Sequence, residues 1–311
     1  MKLNKQYRVH ENVLSIDSIP RKSSFNRYQS RAAYILIAPA LILFIIFMVI
    51  PIGMAIVLSF MEYDIISQMN WVGMENFKRL IDDSILWQTF RNVGLLAFFY
   101  VPLMVIISLL LAVLVTQPYR GVTFFRLAFY MPTVTSAVAA SIVWLWLLNS
   151  EFGLINQILS YVGISGPAWL SESGPAMASV IGVTLWLGVG GNMIIYMAGI
   201  KGIPAQLYEA AKIDGASAFK QLIYITIPML RPTTLLISTM TIIGALQIFD
   251  QAYVLTQGGP ANSTKTIVYH IYTTGFEQLQ MGYASAQALV LTLAILIFTA
   301  INFKINQSND F

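Results

Sequence analysis

Side chains able to do acid–base or metal chemistry are scarce in this sequence. Charged residues make up 10% of the 311, there is no cysteine, and the two histidines, His10 and His270, lie far apart. Neither histidine sits at a metal-ligand spacing, and both fall outside the apolar runs, so each reads as a solvated loop residue. Without cysteine there is no disulfide, thiolate site or cysteine nucleophile. No Gly-x-x-x-x-Gly-Lys-Ser/Thr segment is present to cradle phosphates, so the chain does not itself hydrolyse ATP. A membrane-embedded hydrolase needs a base beside its nucleophile, and the apolar runs contain no His, Cys, Asp, Glu or Lys; the chain is read as not an enzyme. What the apolar segments do hold is glycine and amide. Gly188, Gly191 and Asn192 fall within Trp186-Leu-Gly-Val-Gly-Gly-Asn-Met-Ile-Ile-Tyr196, and Gly244 and Gln247 within Gly244-Ala-Leu-Gln-Ile-Phe-Asp250. Glycine there serves either close helix packing or room for a bulky ligand beside exposed backbone. Gln247, a buried amide, suits either ligand hydroxyls or an interhelical hydrogen bond.

The elements that must position these residues follow from hydropathy. The chain is 57% hydrophobic with mean hydropathy +0.70, far from soluble composition. Six runs free of Asp, Glu, Lys and Arg stand out: 32–60, 93–115, 127–148, 175–200, 232–249 and 283–303. Backbone in hydrocarbon must satisfy its own hydrogen bonds, so each run is expected to be a helix. The first is too long for a signal-peptide core and lacks a small-residue cleavage site; Pro39, Pro51 and Gly53 are expected to kink it. The fold class is therefore an all-α membrane protein of six transmembrane helices, in one domain over residues 32–311 behind a basic leader over residues 1–31.

Basic residues set the orientation, since Lys and Arg accumulate in cytoplasmic segments. Of the 18, only Lys78, Arg79, Arg91 and Lys265 fall on one side; the leader, the 201–231 loop and Lys304 carry most of the rest. Both termini are then expected in the cytoplasm, as an even span count requires. This asymmetry also accounts for the pI of 9.2 without a nucleic-acid partner.

Between the fourth and fifth runs the sequence has the grammar of two short helices. Pro204 suits a first turn, Ala205 to Ile213 are good helix formers, Asp214-Gly215 supplies a stop and Ser217 can cap a second helix. Glu209-Ala210-Ala211, Asp214-Gly215-Ala216 and Ile227-Pro228, placed on the positive face, resemble the EAA loop of ABC importer permeases. The outer stretch Thr256 to Thr264, then Tyr269, Tyr272, Phe276 and Gly282 to Ala286, is similar to the maltose-type carbohydrate branch of that family, as are Pro39 and Pro51.

The resemblance implies a MetI-like permease fold in a bacterial or archaeal cytoplasmic membrane, and transport of a sugar or oligosaccharide by alternating access. It implies that Glu209, Ala210, Ala211, Asp214, Gly215, Ala216 and Phe219 couple the chain to a cytoplasmic ATPase. By position alone Glu209 would be a solvated helix residue, and Asp214 serves equally as a turn residue bonding its own backbone. Gly188 and Gly191 fall in the segment that contributes to the sugar site of maltose-type permeases; that family is richer in asparagine where this chain has Gly244 and Gln247, so the maltose site does not carry over. The implied partners are a second homologous permease, two ATP-binding subunits, an extracytoplasmic solute-binding protein and membrane lipid. No cofactor is bound by this chain, ATP and Mg belonging to the ATPase. The absence of cations from the runs favours a neutral sugar over an anion such as glycerol phosphate. An ion-coupled secondary transporter is less favoured, because intramembrane acids are missing.

Overall fold

The computed structural model describes the backbone of residues 27–307 and the side chains of 33–304. Most of the expected leader lies outside the described residues; its last five residues, 27–31, open the first helix. The chain divides into a unit ending at Met54 and a second, Ala55 to Phe311, which holds every site described below.

In the first unit α1 (Arg27–Phe44) is followed by a π turn over Ile45–Val49 and then by the start of α2 (Ile50–Leu58), which runs past the boundary at Met54. Pro51 lacks an N–H and its ring would clash with the carbonyl four residues back. Position 47 lies inside the π turn, so the wider turn takes up that conflict.

The second unit opens with a small antiparallel hairpin, β1 (Met61–Glu62) and β2 (Asn70–Trp71), and α3 (Glu75–Asp82). The long helices are α4 (Ser84–Thr116), α8 (Ser173–Lys201) and α14 (Met281–Gln307). Around them lie α5 (Val122–Tyr130), α6 (Ala137–Leu147), α7 (Leu154–Tyr161), α9 (Ala205–Ile213), α10 (Ala218–Gln221), α11 (Ile227–Met229), α12 (Arg231–Leu246) and α13 (Ile267–Tyr272).

Among the described residues four segments are long and apolar enough to cross a membrane unbroken: Ala33–Leu58, Ser84–Thr116, Ser173–Lys201 and Met281–Lys304. The third expected span is bent instead, and the fifth is entered through a bend just before it. Val122–Val134 meets Ala137–Leu147 at 102°, and Ala218–Met229 meets Arg231–Leu246 at 68°. At the first bend Pro132 sits in the first positions of a 3-10 turn over Met131–Val134, Thr135 is extended, and Ser136 caps α6. At the second, the 16 residues of α12 rise about 24 Å, short of a hydrocarbon core of about 30 Å.

The second expected span also begins earlier than Val93. Asp83 accepts from the Leu86 N–H at 2.9 Å and starts α4 nine residues sooner, with Arg91 inside the helix. At 33 residues, α4 is about 50 Å long and stands beyond the hydrocarbon. It runs parallel to α8: Leu96, Tyr100 and Met104 pack with Met177, Val180 and Leu187, and Ala112 and Val115 with Met193, Tyr196 and Met197.

Asp83 also ties three elements together. Its Oδ2 accepts from the Tyr283 hydroxyl at 2.7 Å and lies 3.3 Å from His270 Nε2, while the Arg79 guanidinium stacks on the Tyr283 ring at 4.0 Å. His270 is thus not a solvated loop residue: it is 5% exposed, on α13, and paired with a carboxylate. Burial pushes its imidazole below the ordinary value of 6.5 against the opposing pull of Asp83, and Lys265 and Arg79 add to the depression. Burial would raise the Asp83 carboxyl, but hydrogen bonds from Tyr283, Leu86 and His270 outweigh it and hold it below its usual value.

Both groups therefore prefer their high-pH forms in the fold. The His270 contribution is complete above about pH 6.5 and is lost as pH falls through the depressed folded-state value. Asp83→Ala removes the α4 cap and leaves the Tyr283 and His270 donors unpaired, at a cost of about 2 to 4 kcal/mol. Thermal unfolding of the solubilised protein should show that loss at neutral pH, and His270→Gln should flatten the decline between pH 7 and 5. An Asp83→Ala protein melting with the wild type would show that this corner holds nothing.

Candidate functional site: the 201–231 hairpin and the helices that carry it

Residues 201–231 form two helical segments joined by a tight turn. Alpha-helix α9 ends at Ile213 and Gly215 has φ +75, where a side chain would be strained. The Gly215 N–H donates to the Lys212 carbonyl at 3.1 Å and the Ala216 N–H to the Ala211 carbonyl at 2.8 Å, the paired closure of a Schellman cap. The sequence Ala211-Lys-Ile-Asp-Gly-Ala216 is thus one device, with the glycine at the left-handed position and an alanine at each end of the longer bond. The Ser217 hydroxyl then caps α10 by accepting from the Lys220 N–H. Pro204 stands at the N-cap of α9, one residue before the expected first turn.

The two arms are braced. Tyr208 on α9 shares a 2.9 Å hydroxyl hydrogen bond with Thr226, and Gln221 donates to the Ala216 carbonyl at 2.9 Å. Ala211 and Ala216 are half-buried at the turn, while Glu209, Ala210, Asp214 and Gly215 are exposed. Phe219 is 69% exposed, with Ile213 at 86% and Tyr224 at 76%. A rigid tip therefore carries apolar side chains to no partner among the described residues.

The stem joins the hairpin to two helices. A Cβ on Gly199 would lie 2.7 Å from Thr233 Oγ1 and 2.8 Å from Leu230 Cδ2, so α8 and the start of α12 touch without intervening side-chain bulk. One turn up, the Tyr196 hydroxyl donates to Thr234 Oγ1 at 3.1 Å.

The other candidates divide between packing and open surface. At Gly188 an added Cβ would be 2.8 Å from Met104 Cε on α4, and at Gly191 it would be 3.2 Å from Thr133 Cγ2. The space beside both glycines is thus occupied by neighbouring helices. Asn192 donates to the Gly188 carbonyl at 3.2 Å, bonding its own helix. Gly244 and Gln247 share an exposed face at the end of α12, and a Cβ on Gly244 would meet nothing within 4 Å. Gln247 is exposed at the C-cap, so the buried amide expected from the sequence is corrected: α12 ends one residue before it.

Three features of this region escape a reading by residue type. A Cβ on Gly190 would lie 2.1 Å from the Phe129 carbonyl oxygen, so α8 and α5 meet backbone to side-chain void. Thr133 Oγ1 donates to the Leu187 carbonyl at 2.9 Å and accepts from the Gly191 N–H at 3.2 Å, inserting between two groups of the α8 ladder. Beyond Gln247, Phe249 stacks on Tyr253 at 5.3 Å, Tyr253 meets Tyr269 at 5.3 Å edge-on, and Tyr272 stacks on Phe276 at 5.6 Å. Tyr269, Tyr272 and Phe276 of this ladder lie in the stretch that carries the resemblance, and Gly190 lies in the Gly-Val-Gly-Gly run, but no local pattern joins them to their partners, and Thr133 carries no signal.

Six apolar span candidates, two of them reached or broken by bends, with a braced hairpin between the fourth and the fifth, are the architecture of an integral-membrane protein. Residues 32–308 match the binding-protein-dependent transport system inner membrane component family, and the chain belongs to it. The diacetylchitobiose uptake system permease protein NgcF of Streptomyces coelicolor is 35% identical over 302 residues, covering 92% of this chain and 85% of that protein. The lactose transport system permease protein LacF of Rhizobium radiobacter is 34% identical over 290 residues, covering 91% and 96%. In fold, the chain is similar to a bacterial ABC transporter involved in import of the acidic polysaccharide alginate, with TM-score 0.81, 22% identity and coverage of 91% and 98%.

The Gly190 contact predicts a sharp contrast between two glycines. Gly190→Ala must push a backbone carbonyl aside and should cost about 1 to 3 kcal/mol, whereas Gly244→Ala enters open space and should melt like the parent. Thermal unfolding of the purified variants distinguishes them; equal stability would show that α5 and α8 do not meet as described.

Proposed function

We propose that this chain forms half of the translocation pathway of an ATP-driven, binding-protein-dependent importer for a neutral sugar or oligosaccharide. The second half comes from a homologous permease, energy from two ATP-binding subunits, and substrate from an extracytoplasmic binding protein. The observation that carries the reading is the hairpin: a capped, cross-braced tip exposing Phe219 and Glu209, rooted without slack in α8 and α12. A tip of this kind suits an aromatic anchor in a partner's cleft. The hairpin then lies in the cytoplasm, as the distribution of basic residues expects.

Closure of the ATPases would displace the tip, and the stem would tilt α8 and α12 together. Those helices carry Gly188, Gly191 and Asn192 on one side and the exposed Gly244 and Gln247 on the other, so their tilt would change which end of the pathway is open. Gly191 and Gly188 act here by letting the helices slide closely, and Gln247 by offering an amide to hydroxyls. Support for a sugar comes from relatives named for lactose and diacetylchitobiose, from the aromatic ladder beyond Gln247, whose faces suit stacking, and from spans poor in cations.

Two substitutions test the coupling. Pro at position 215 cannot adopt φ +75, and it removes the N–H bonded to Lys212. Lys at position 209 reverses a charge at the tip, worth about 2 to 5 kcal/mol where such a contact is desolvated. Gly215→Pro and Glu209→Lys should both reach the membrane at normal abundance yet fail in sugar uptake by vesicles. Loss of the co-purifying ATPase indicates docking, and its retention indicates transmission. Normal uptake in both would sink the coupling role.

A further inference from the structure

A groove of about 980 Å³ runs between α4 and α8 at the end of the bundle away from the hairpin. None of the site residues discussed above lines it. One wall is Leu95, Phe99 and Leu103, one turn apart on α4; the other is α8, where Met177, Ile181 and Leu185 flank Gly182. A Cβ on Gly182 would meet nothing within 4 Å, so the groove is open there. Its mouth is polar, with Gln88 and Asn92 tied to the 261–265 loop and Arg91 as the single charged side chain of the lining.

The dimensions and the gradient of polarity select an occupant. From Arg91 to Leu103 the helix rises about 18 Å, close to the roughly 15 Å depth of one leaflet of hydrocarbon. Trp87, one turn before Arg91 and 55% exposed, sits where an aromatic belt marks the headgroup level. We infer that this groove holds one acyl chain of an anionic glycerophospholipid from the leaflet opposite the hairpin, with the lipid phosphate paired to Arg91. Apolar walls of leaflet depth below a lone guanidinium match that ligand. A transported sugar would need hydroxyl partners along the walls, which carry none below Asn92.

Photo-crosslinking and lipid retention test this in the intact transporter, reconstituted in phosphatidylcholine vesicles containing phosphatidylglycerol. A photoreactive phenylalanine analogue at Phe99 should form its adduct with phosphatidylglycerol, in preference to phosphatidylcholine. Phosphatidylglycerol retained through detergent extraction should fall about fivefold in Arg91→Gln, the factor expected of one basic residue at an anionic surface. It should be lost in Gly182→Leu, whose side chain enters the groove without displacing a neighbour. An adduct to a polypeptide, an adduct to sugar, no adduct, no preference between the two lipids, or undiminished retention in Gly182→Leu would each overturn the assignment.

Discussion

The absence of side chains along one face after another of α8 is the constraint on which the rest of this protein depends. Lipid tails are as apolar as leucine, so helices in a bilayer gain little from hydrophobic burial and associate through close contact and hydrogen bonds. Gly188 admits Met104 of α4, Gly190 admits the Phe129 carbonyl of α5, Gly191 admits Thr133, and Gly199 admits Thr233 and Leu230. One helix thereby takes side chains of α4 and α12 and backbone of α5 into its glycine gaps, and leads directly into the hairpin. Larger residues at these positions would push each neighbour outward and put slack between the hairpin and the spans.

Hydrogen bonds then fix what the glycines bring near. Thr133 joins the α8 ladder itself, and Tyr196 reaches Thr234 across the stem. Asn302 of α14 reaches Thr239 of α12 at 2.7 Å, so the last span is tied to the fifth. Hydroxyls without a neighbour bond their own helix, as Thr184 does to Val180 and Thr241 to Ile237. At the far end the Asp83 carboxylate gathers α4, α13 and α14 into one polar corner. The protein is thus held at both ends by specific bonds and in the middle by close contact.

Much of this was readable from residue order. The apolar runs, the two-helix grammar of 201–231, the cap at Ser217 and the turn at Gly215 all rest on local chemistry, which a sequence displays. The 102° bend did not show, because a charge-free run looks alike whether straight or broken, whereas Pro228 and Pro232 flank the 68° turn into α12. Counting charges also cut α4 short at Val93, since Arg91 lies within a helix that Asp83 had already capped. His270 and Asp83 stand 187 positions apart, and no local pattern could pair them. Whether a glycine serves packing or an open face likewise depends on what lies opposite, which set Gly188 and Gly191 apart from Gly244.

The account requires that the base of α8, the hairpin and the start of α12 move as one body. The chain has no cysteine, so a disulfide can be placed there alone. Gly199 and Thr233 lie close enough for the Cβ separation of about 3.8 Å that a disulfide prefers. With Gly199→Cys and Thr233→Cys in the assembled transporter, ATP-driven sugar uptake is measured before oxidation, after oxidation, and after reduction. Uptake that continues unchanged with the disulfide formed is the predicted result. Uptake that stops on oxidation and returns on reduction would show that the stem must open during transport, and would contradict the rigid coupling described here.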